Sequence, residues 1–111
     1  MAFENVLAGI AVRDMRTAKI WYSAFFARQP DRIPMESDME WDFPGGSTIQ
    51  VFRDAERAGN SSATLVPDDL DAELARLAEL GHNPTERSSG KFEIAIFEDL
   101  DGNRLVLAKP A

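Results

Sequence analysis

No cysteine occurs among the 111 residues, so neither a disulfide framework nor thiolate chemistry is open to this chain. Histidine occurs once, at His82, just after a glycine placed to stop a helix. A single imidazole on a turn, with no ordered partner expected, reads as structural or solvent-facing rather than as a general base. Apolar runs are short: the longest, residues 6–12, is strand-length, well below the roughly 20 residues that span a bilayer. The opening Met1-Ala2-Phe3-Glu4 has neither the basic start nor the cleavage site of a secretory signal, so a cytoplasmic protein is expected. Basic residues number 12 against 19 acidic ones, for a formal charge of −7, and they are scattered. Nucleic-acid binders neutralise phosphates with clustered Lys and Arg; neither a nucleic-acid nor a membrane partner is expected. Glycine-rich phosphate loops, Ser-His-Asp sets and Cys-His pairs are likewise absent.

Hydrophobic residues make up 44% of the chain, enough for one packed core, and the length fits a single domain. Val6 to Val12 is rich in branched residues and reads as a buried strand. Asp14 follows as a helix N-cap. Met15, Ala18, Tyr22, Phe25 and Phe26, with Trp21 beside them, form the apolar stripe of an amphipathic helix that Pro30 and Pro34 end. From Met35 to Phe43 the pattern alternates. Glu36, Asp38, Glu40 and Asp42 share one face; Met35, Met39, Trp41 and Phe43 share the other, as in a strand with one acidic side. Pro44-Gly45-Gly46 is a turn into a further strand over residues 47–53.

The order then restarts. A short strand over residues 63–66 leads through Pro67-Asp68-Asp69 into a helix striped by Leu70, Leu74, Leu77 and Ala78 and stopped by Gly81. A loop over residues 86–90, a strand over 91–98, the hairpin turn Asp101-Gly102-Asn103 and a last strand over 104–108 complete it. A further short strand fits around residues 83–87. The expected class is α+β: two β-α-β-β(-β) modules, about 1–56 and 62–110, in one domain with helices on one side of mixed or antiparallel sheets. Faces not covered by helix would form a cup, where ligands bind.

Three segments carry a resemblance. Val12-Arg13-Asp14 with Trp21-Tyr22 resembles the V-x-D…F-Y opening of the glyoxalase/bleomycin-resistance/extradiol-dioxygenase (vicinal oxygen chelate) superfamily. Asp68-Asp69-Leu70-Asp71…Leu77…Leu80-Gly81 resembles the start of its second module. Glu98-Asp99-Leu100-Asp101-Gly102-Asn103 is similar to its D-P-D-G-N turn, with Leu100 in place of proline. The resemblance implies a homodimer with cups built from both modules, and in the enzymes a metal held by His and Glu at four positions. Those positions fall here at Leu7, Gln50, Ser62 and Val106, a set unable to hold a divalent metal; no metal and no cofactor are expected.

Strand parity places Ile10, Val12, Ile49, Val51, Leu105 and Leu107 under the helices. It turns Leu7, Gly9, Ala11, Thr48, Gln50, Phe52, Arg104 and Val106 toward the cup. Phe97 has cup parity as well. Trp41 offers a flat face and an N–H for stacking on a ligand, with packing against Met39 and Phe43 as its alternative. The expected ligand-binding residues are therefore Trp41, Gln50, Phe52, Phe97 and Arg104, with no catalytic residue assigned. The carboxylate row reads as a solvated face that discourages edge-to-edge pairing. A metal-free small-molecule binding protein is the expectation, its acidic balance and aromatics compatible with a cationic, planar ligand and with antibiotic sequestration. The alternative is a divergent enzyme of the same superfamily (lyase, isomerase or dioxygenase) with a displaced or absent metal site.

Overall fold

The computed structural model describes residues 2–110. Its elements run β1 (Val6–Val12), α1 (Met15–Phe25), β2 (Arg32–Met35), β3 (Asp38–Asp42), β4 (Ser47–Arg53), β5 (Ser62–Leu65), α2 (Leu70–Glu79), β6 (Glu86–Ser88), β7 (Phe92–Glu98) and β8 (Arg104–Pro110). Each half is thus β-α-β-β-β. Capping chemistry sets the helix ends. The Asp14 carboxylate accepts from the backbone N–H of Arg16, and Asp69 does the same for Ala72, satisfying donors that the first turn leaves free. Helix α2 ends in a Schellman turn: Gly81, at φ +86°, sends its N–H to Ala78, and His82 sends its own to Leu77. Helix α1 stops at Phe25, before either proline, where the chain turns through Ala27 at φ +60°.

Two segments differ from the sequence expectation: the short strand β6 lies at Glu86–Ser88, inside the stretch read as a loop, and the alternating stretch is divided. The alternating stretch 35–43 is two strands, because Glu36 and Ser37 form a two-residue turn that pairs Met35 with Asp38. Glu36 is thereby taken out of the carboxylate row.

Four strands make each sheet, in the orders β1-β4-β3-β2 and β5-β8-β7-β6. In each, the strand before the helix pairs in parallel with the last strand of its module, β1 with β4 and β5 with β8, and the other pairings are antiparallel. The helices cover one face of these sheets, and a single core runs under both. Ile10, Val12, Met39, Trp41, Ile49 and Val51 from the first sheet join Ala95, Phe97, Leu105 and Leu107 from the second. Phe25 of α1 meets Phe97 of β7 edge-on at 5.5 Å between ring centres. From α2, Arg76 donates to the carbonyls of Ala24 and Phe25 at the end of α1. Each large side chain buried here contributes about 1.5–3 kcal/mol, and these contacts make the two halves one folding unit.

Asn103, fully buried, joins the halves. Its side-chain oxygen accepts from the N–H groups of Gly59 and Ser61 at 3.0 and 2.9 Å. Its amide nitrogen donates to the Ala11 carbonyl at 2.7 Å and to Asp99 at 2.9 Å. Beside it, the Tyr22 hydroxyl donates to Asp99 at 2.6 Å. Burial, then the Asp99 carboxylate, pushes the Tyr22 phenol far above its usual range.

Candidate functional site

The sheet faces turned away from the helices have no cover from this chain among the described residues. Registers fix what they carry, since directly opposed residues share a face. On the first sheet Leu7 lies beside Thr48, Gly9 beside Gln50 and Ala11 beside Phe52. Across β4 the same residues meet Asp42, Glu40 and Asp38. On the second sheet Arg104, Val106 and Ala108 oppose Glu98, Ile96 and Ile94, with Ser62 and Thr64 on the flanking strand.

Gln50 and Phe52 are therefore on the expected face, both half-buried. The Phe52 ring lies over Gly9, where a Cβ would come within 3.1 Å of it, and the Arg57 guanidinium stands 5.8 Å from the ring centre. Arg104 is on the corresponding face of the second sheet, half exposed and paired with Glu86. Two expectations are corrected. Trp41 is fully buried under α1, against Tyr22 and Phe26, and its indole N–H donates to the Arg28 carbonyl at 3.0 Å; it opposes Ile49, a core residue. Phe97 is 2% exposed. It opposes Leu105, so the turn at 99–102 sets a register that sends both side chains into the core. The second wall is lined instead by Ile94, Ile96 and Val106, which the sequence reading left out except for the last. His82 is half-buried, edge-on to Trp21 at 5.3 Å.

The carboxylate row is the larger surprise. Asp38 and Glu40 are only 6% and 9% exposed, which overturns the solvated-face expectation. Gln50 Nε2 donates to Asp38 at 3.1 Å and reaches Glu40 at 3.5 Å. Arg32 Nε donates to Glu40 at 2.7 Å, and the same guanidinium grips Asp42. Thr48 donates to Asp42 at 2.8 Å. The Arg32 and Thr48 bonds hold Asp42 below the usual carboxylate range. Asp38 moves the other way. Burial pushes it up, Gln50 works against that, and the neighbouring Glu40 carboxyl adds to the rise. One Asp38 oxygen, Oδ1, is buried without any donor. The first wall thus offers negative charge of unequal accessibility, and the second offers aliphatic surface.

The metal-ligand positions implied by the resemblance hold Leu7, Gln50, Ser62 and Val106. The Gln50 amide nitrogen is already committed to two carboxyls, and the other three supply no ligand of metal-binding strength. Among the described residues no three His, Cys, Asp or Glu side chains cluster as a metal site would require. The residues present do not fit the metal of the enzymes.

Between the two sheets β1 is tied to the residue just before β5, where Ser61 Oγ accepts from the Ala11 N–H at 3.0 Å. A cleft of about 940 Å³ opens between the modules, bordered by Val6, Ala8, Phe43, Leu65, Val66 and the start of α2. Val6 and Val66 are 76% and 73% exposed there.

No family model and no curated protein sequence matches the chain; solved structures do. A glyoxalase/bleomycin resistance protein from Catenulispora acidiphila DSM 44928 superposes with a TM-score of 0.90 at 27% identity, over 96% of this chain and 98% of that one. TnmS3, an antibiotic binding protein from Streptomyces sp. CB03234, gives 0.77 at 24% identity over 100% and 99%. The oxidase ChaP-H2 gives 0.77 at 15% identity over 100% and 96%. The last two share the fold; the first adds sequence likeness along nearly the whole of both chains. With duplicated β-α-β-β-β modules, uncovered sheet faces and the D-G-N turn locking the halves, the chain has the fold of the glyoxalase/bleomycin-resistance (vicinal-oxygen-chelate) proteins, without the metal ligands of the enzymes.

Proposed function

We propose that the protein is a metal-free small-molecule binding protein that works as a homodimer, a second copy closing each half-cup and the ligand held unchanged. The observation that carries this is the state of the two uncovered faces. One has buried carboxyls braced by Gln50, the other has half-buried isoleucine and valine, and the four metal positions are filled by side chains that bind none. Exposed Val6 and Val66 along the cleft favour a second copy, since apolar edges left open invite pairing. An organic ligand with a cationic group and a flat apolar body suits the two walls. The name of TnmS3 makes antibiotic sequestration the leading role. Gln50, Phe52 and Arg104 are the residues assigned to the ligand, joined by Glu40, Ile96 and Val106. A divergent enzyme is the second reading, favoured by Asp38, whose carboxyl is pushed up by burial.

Thermal melts of chelator-stripped protein test the proposal. With Zn, Ni, Mn and Fe(II) added separately, no shift is expected. A saturable rise with any metal overturns the metal-free reading. A panel of cationic aromatic compounds is then expected to yield at least one stabiliser; binding to the native state alone adds about 2.7 kcal/mol at a hundredfold excess over Kd. Recovery of that compound unchanged supports sequestration, and turnover supports the enzyme.

A further inference from the structure

Ten aspartates occur in the chain, and only Asp101 is followed by glycine. That neighbour matters chemically, because a residue without a Cβ leaves its backbone nitrogen open to attack the aspartate carboxyl carbon. The pair stands at the joint of the two modules. Arg13, directly after β1, reaches across to it: Nη1 donates to Asp101 Oδ1 at 3.0 Å, and the Arg13 backbone N–H donates to Oδ2 at 3.3 Å. Both carboxyl oxygens are thus held from module one. Asp101 is the sheltered partner, its side chain 13% exposed against 58% for Arg13. The Gly102 nitrogen is held as well, its N–H donating to the Asp99 carbonyl at 3.1 Å, and the Asp101 N–H goes to the Asp99 carboxylate at 2.9 Å. The reactive nitrogen and the carboxyl are neighbours in the chain, and each is tied elsewhere. An ion pair with so exposed an arginine is worth little, so this closure is one that thermal motion undoes.

We propose that Asp101-Gly102 is a latent isoaspartate site, which Arg13 keeps closed across the joint and whose conversion unlocks the two modules. When Arg13 lets go and the turn opens, the Gly102 nitrogen bonds to Asp101 Cγ. One carboxyl oxygen departs as water, with the hydrogen from that nitrogen and one proton from the carboxyl or the solvent, and a five-membered succinimide closes. Water then opens the ring at the α carbonyl. The main chain now runs through Cγ, one methylene longer, and the former Asp101 carbonyl is a free carboxylate. Nothing is oxidised or reduced, and the water lost is replaced by the water gained. The packing makes the change costly. The Asp101 carbonyl lies so close to Gly59 that an added methyl there would stand 2.6 Å away, which leaves a new carboxylate no room. The extra methylene also displaces Asn103, two residues on, whose four side-chain hydrogen bonds are made from full burial and are expensive to leave unmade.

Ageing of the full chain in mildly acidic buffer tests the proposal, with isoaspartate counted by enzymatic methyl transfer and located by mass spectrometry of proteolytic fragments. Folded wild type, wild type in urea and folded Arg13→Gln are compared. Conversion at residue 101 is expected in urea, and slower by roughly tenfold or more in the folded protein, because opening the turn is uphill. Arg13→Gln should convert about two- to fivefold faster than folded wild type, with unchanged circular dichroism. Equal rates for wild type with and without urea overturn the proposal whatever the variant does, and so does an unfolded chain that gains no isoaspartate at 101. Equal rates for the folded variant and folded wild type remove Arg13 as the closure. Should the variant fold poorly, wild type in strong salt, which screens the same ion pair, must show the acceleration instead. Converted protein, separated by chromatography, is expected to have a lower urea midpoint than unconverted protein. An unchanged midpoint refutes the unlocking.

Discussion

Asn103 makes four side-chain hydrogen bonds from a position with no solvent exposure, to β1, to the 59–61 linker and to Asp99. Replacing it by alanine strands two backbone donors and one carbonyl where water cannot reach. At about 1–3 kcal/mol for each stranded group, Asn103→Ala should lose at least 3 kcal/mol, seen as a lower urea midpoint. A loss under about 1 kcal/mol would mean that the joint tolerates water. Tyr22 offers a cleaner titration, being the only tyrosine. Tyr22→Phe removes the 2.6 Å bond to Asp99 and should lose about 1–2 kcal/mol at neutral pH. The folded phenol is raised, so its stabilising contribution is complete below the unfolded value of about 10 and falls away as pH rises beyond it. Urea midpoints from pH 8 to 11 should therefore fall more steeply for wild type than for the phenylalanine variant. Parallel curves would show that the phenol is not protected.

At the scale of elements, Gly59 carries a requirement that other glycines do not. It sits at φ +90°, and an added Cβ would lie 2.6 Å from the Asp101 carbonyl oxygen, which is backbone and cannot yield. Gly45 has the same φ with open space around it. Gly45→Ala should cost about 1 kcal/mol, and Gly59→Ala clearly more; equal melting temperatures would refute the clash. Much of this level was legible from the residues. Period-two alternation placed Gln50, Phe52, Arg104 and Val106, because one face of each strand must be apolar to join the core. It failed for Phe97 because a single residue of register, set by the 99–102 turn, exchanges the two faces. Trp41 failed for a different reason: its parity was right for packing, and an indole N–H satisfied by the Arg28 carbonyl gives no signal in sequence. The Glu36-Ser37 turn was hidden because it contains neither glycine, proline nor asparagine. Burial of Asp38 and Glu40 was hidden because carboxylates are usually solvated, and only the pairing of β3 with β4 and the reach of Gln50 show otherwise.

For the whole molecule the first question is copy number. Light scattering should give twice the chain mass. Val6→Arg and Val66→Arg together place two charges on the cleft rim without touching the core, and should shift the protein toward monomer while leaving its circular dichroism unchanged. A wild-type monomer at all concentrations would remove the dimer. The two-module order was legible at this scale too, through the repeated element order, whereas the joint that Asn103 makes between the halves was not, and neither was the cleft between the modules, since strand-edge separation leaves no mark on composition.

The unequal division of chemistry between the sheets has a directional consequence. The buried carboxyls of Asp38 and Glu40 stand on the wall from module one, and the branched hydrocarbon of Ile94, Ile96 and Val106 stands on the wall from module two. Under the proposed function, a molecule captured between them would be sorted end for end, its charged head toward one wall and its greasy tail toward the other. In a twofold pair the two captives would lie head to tail.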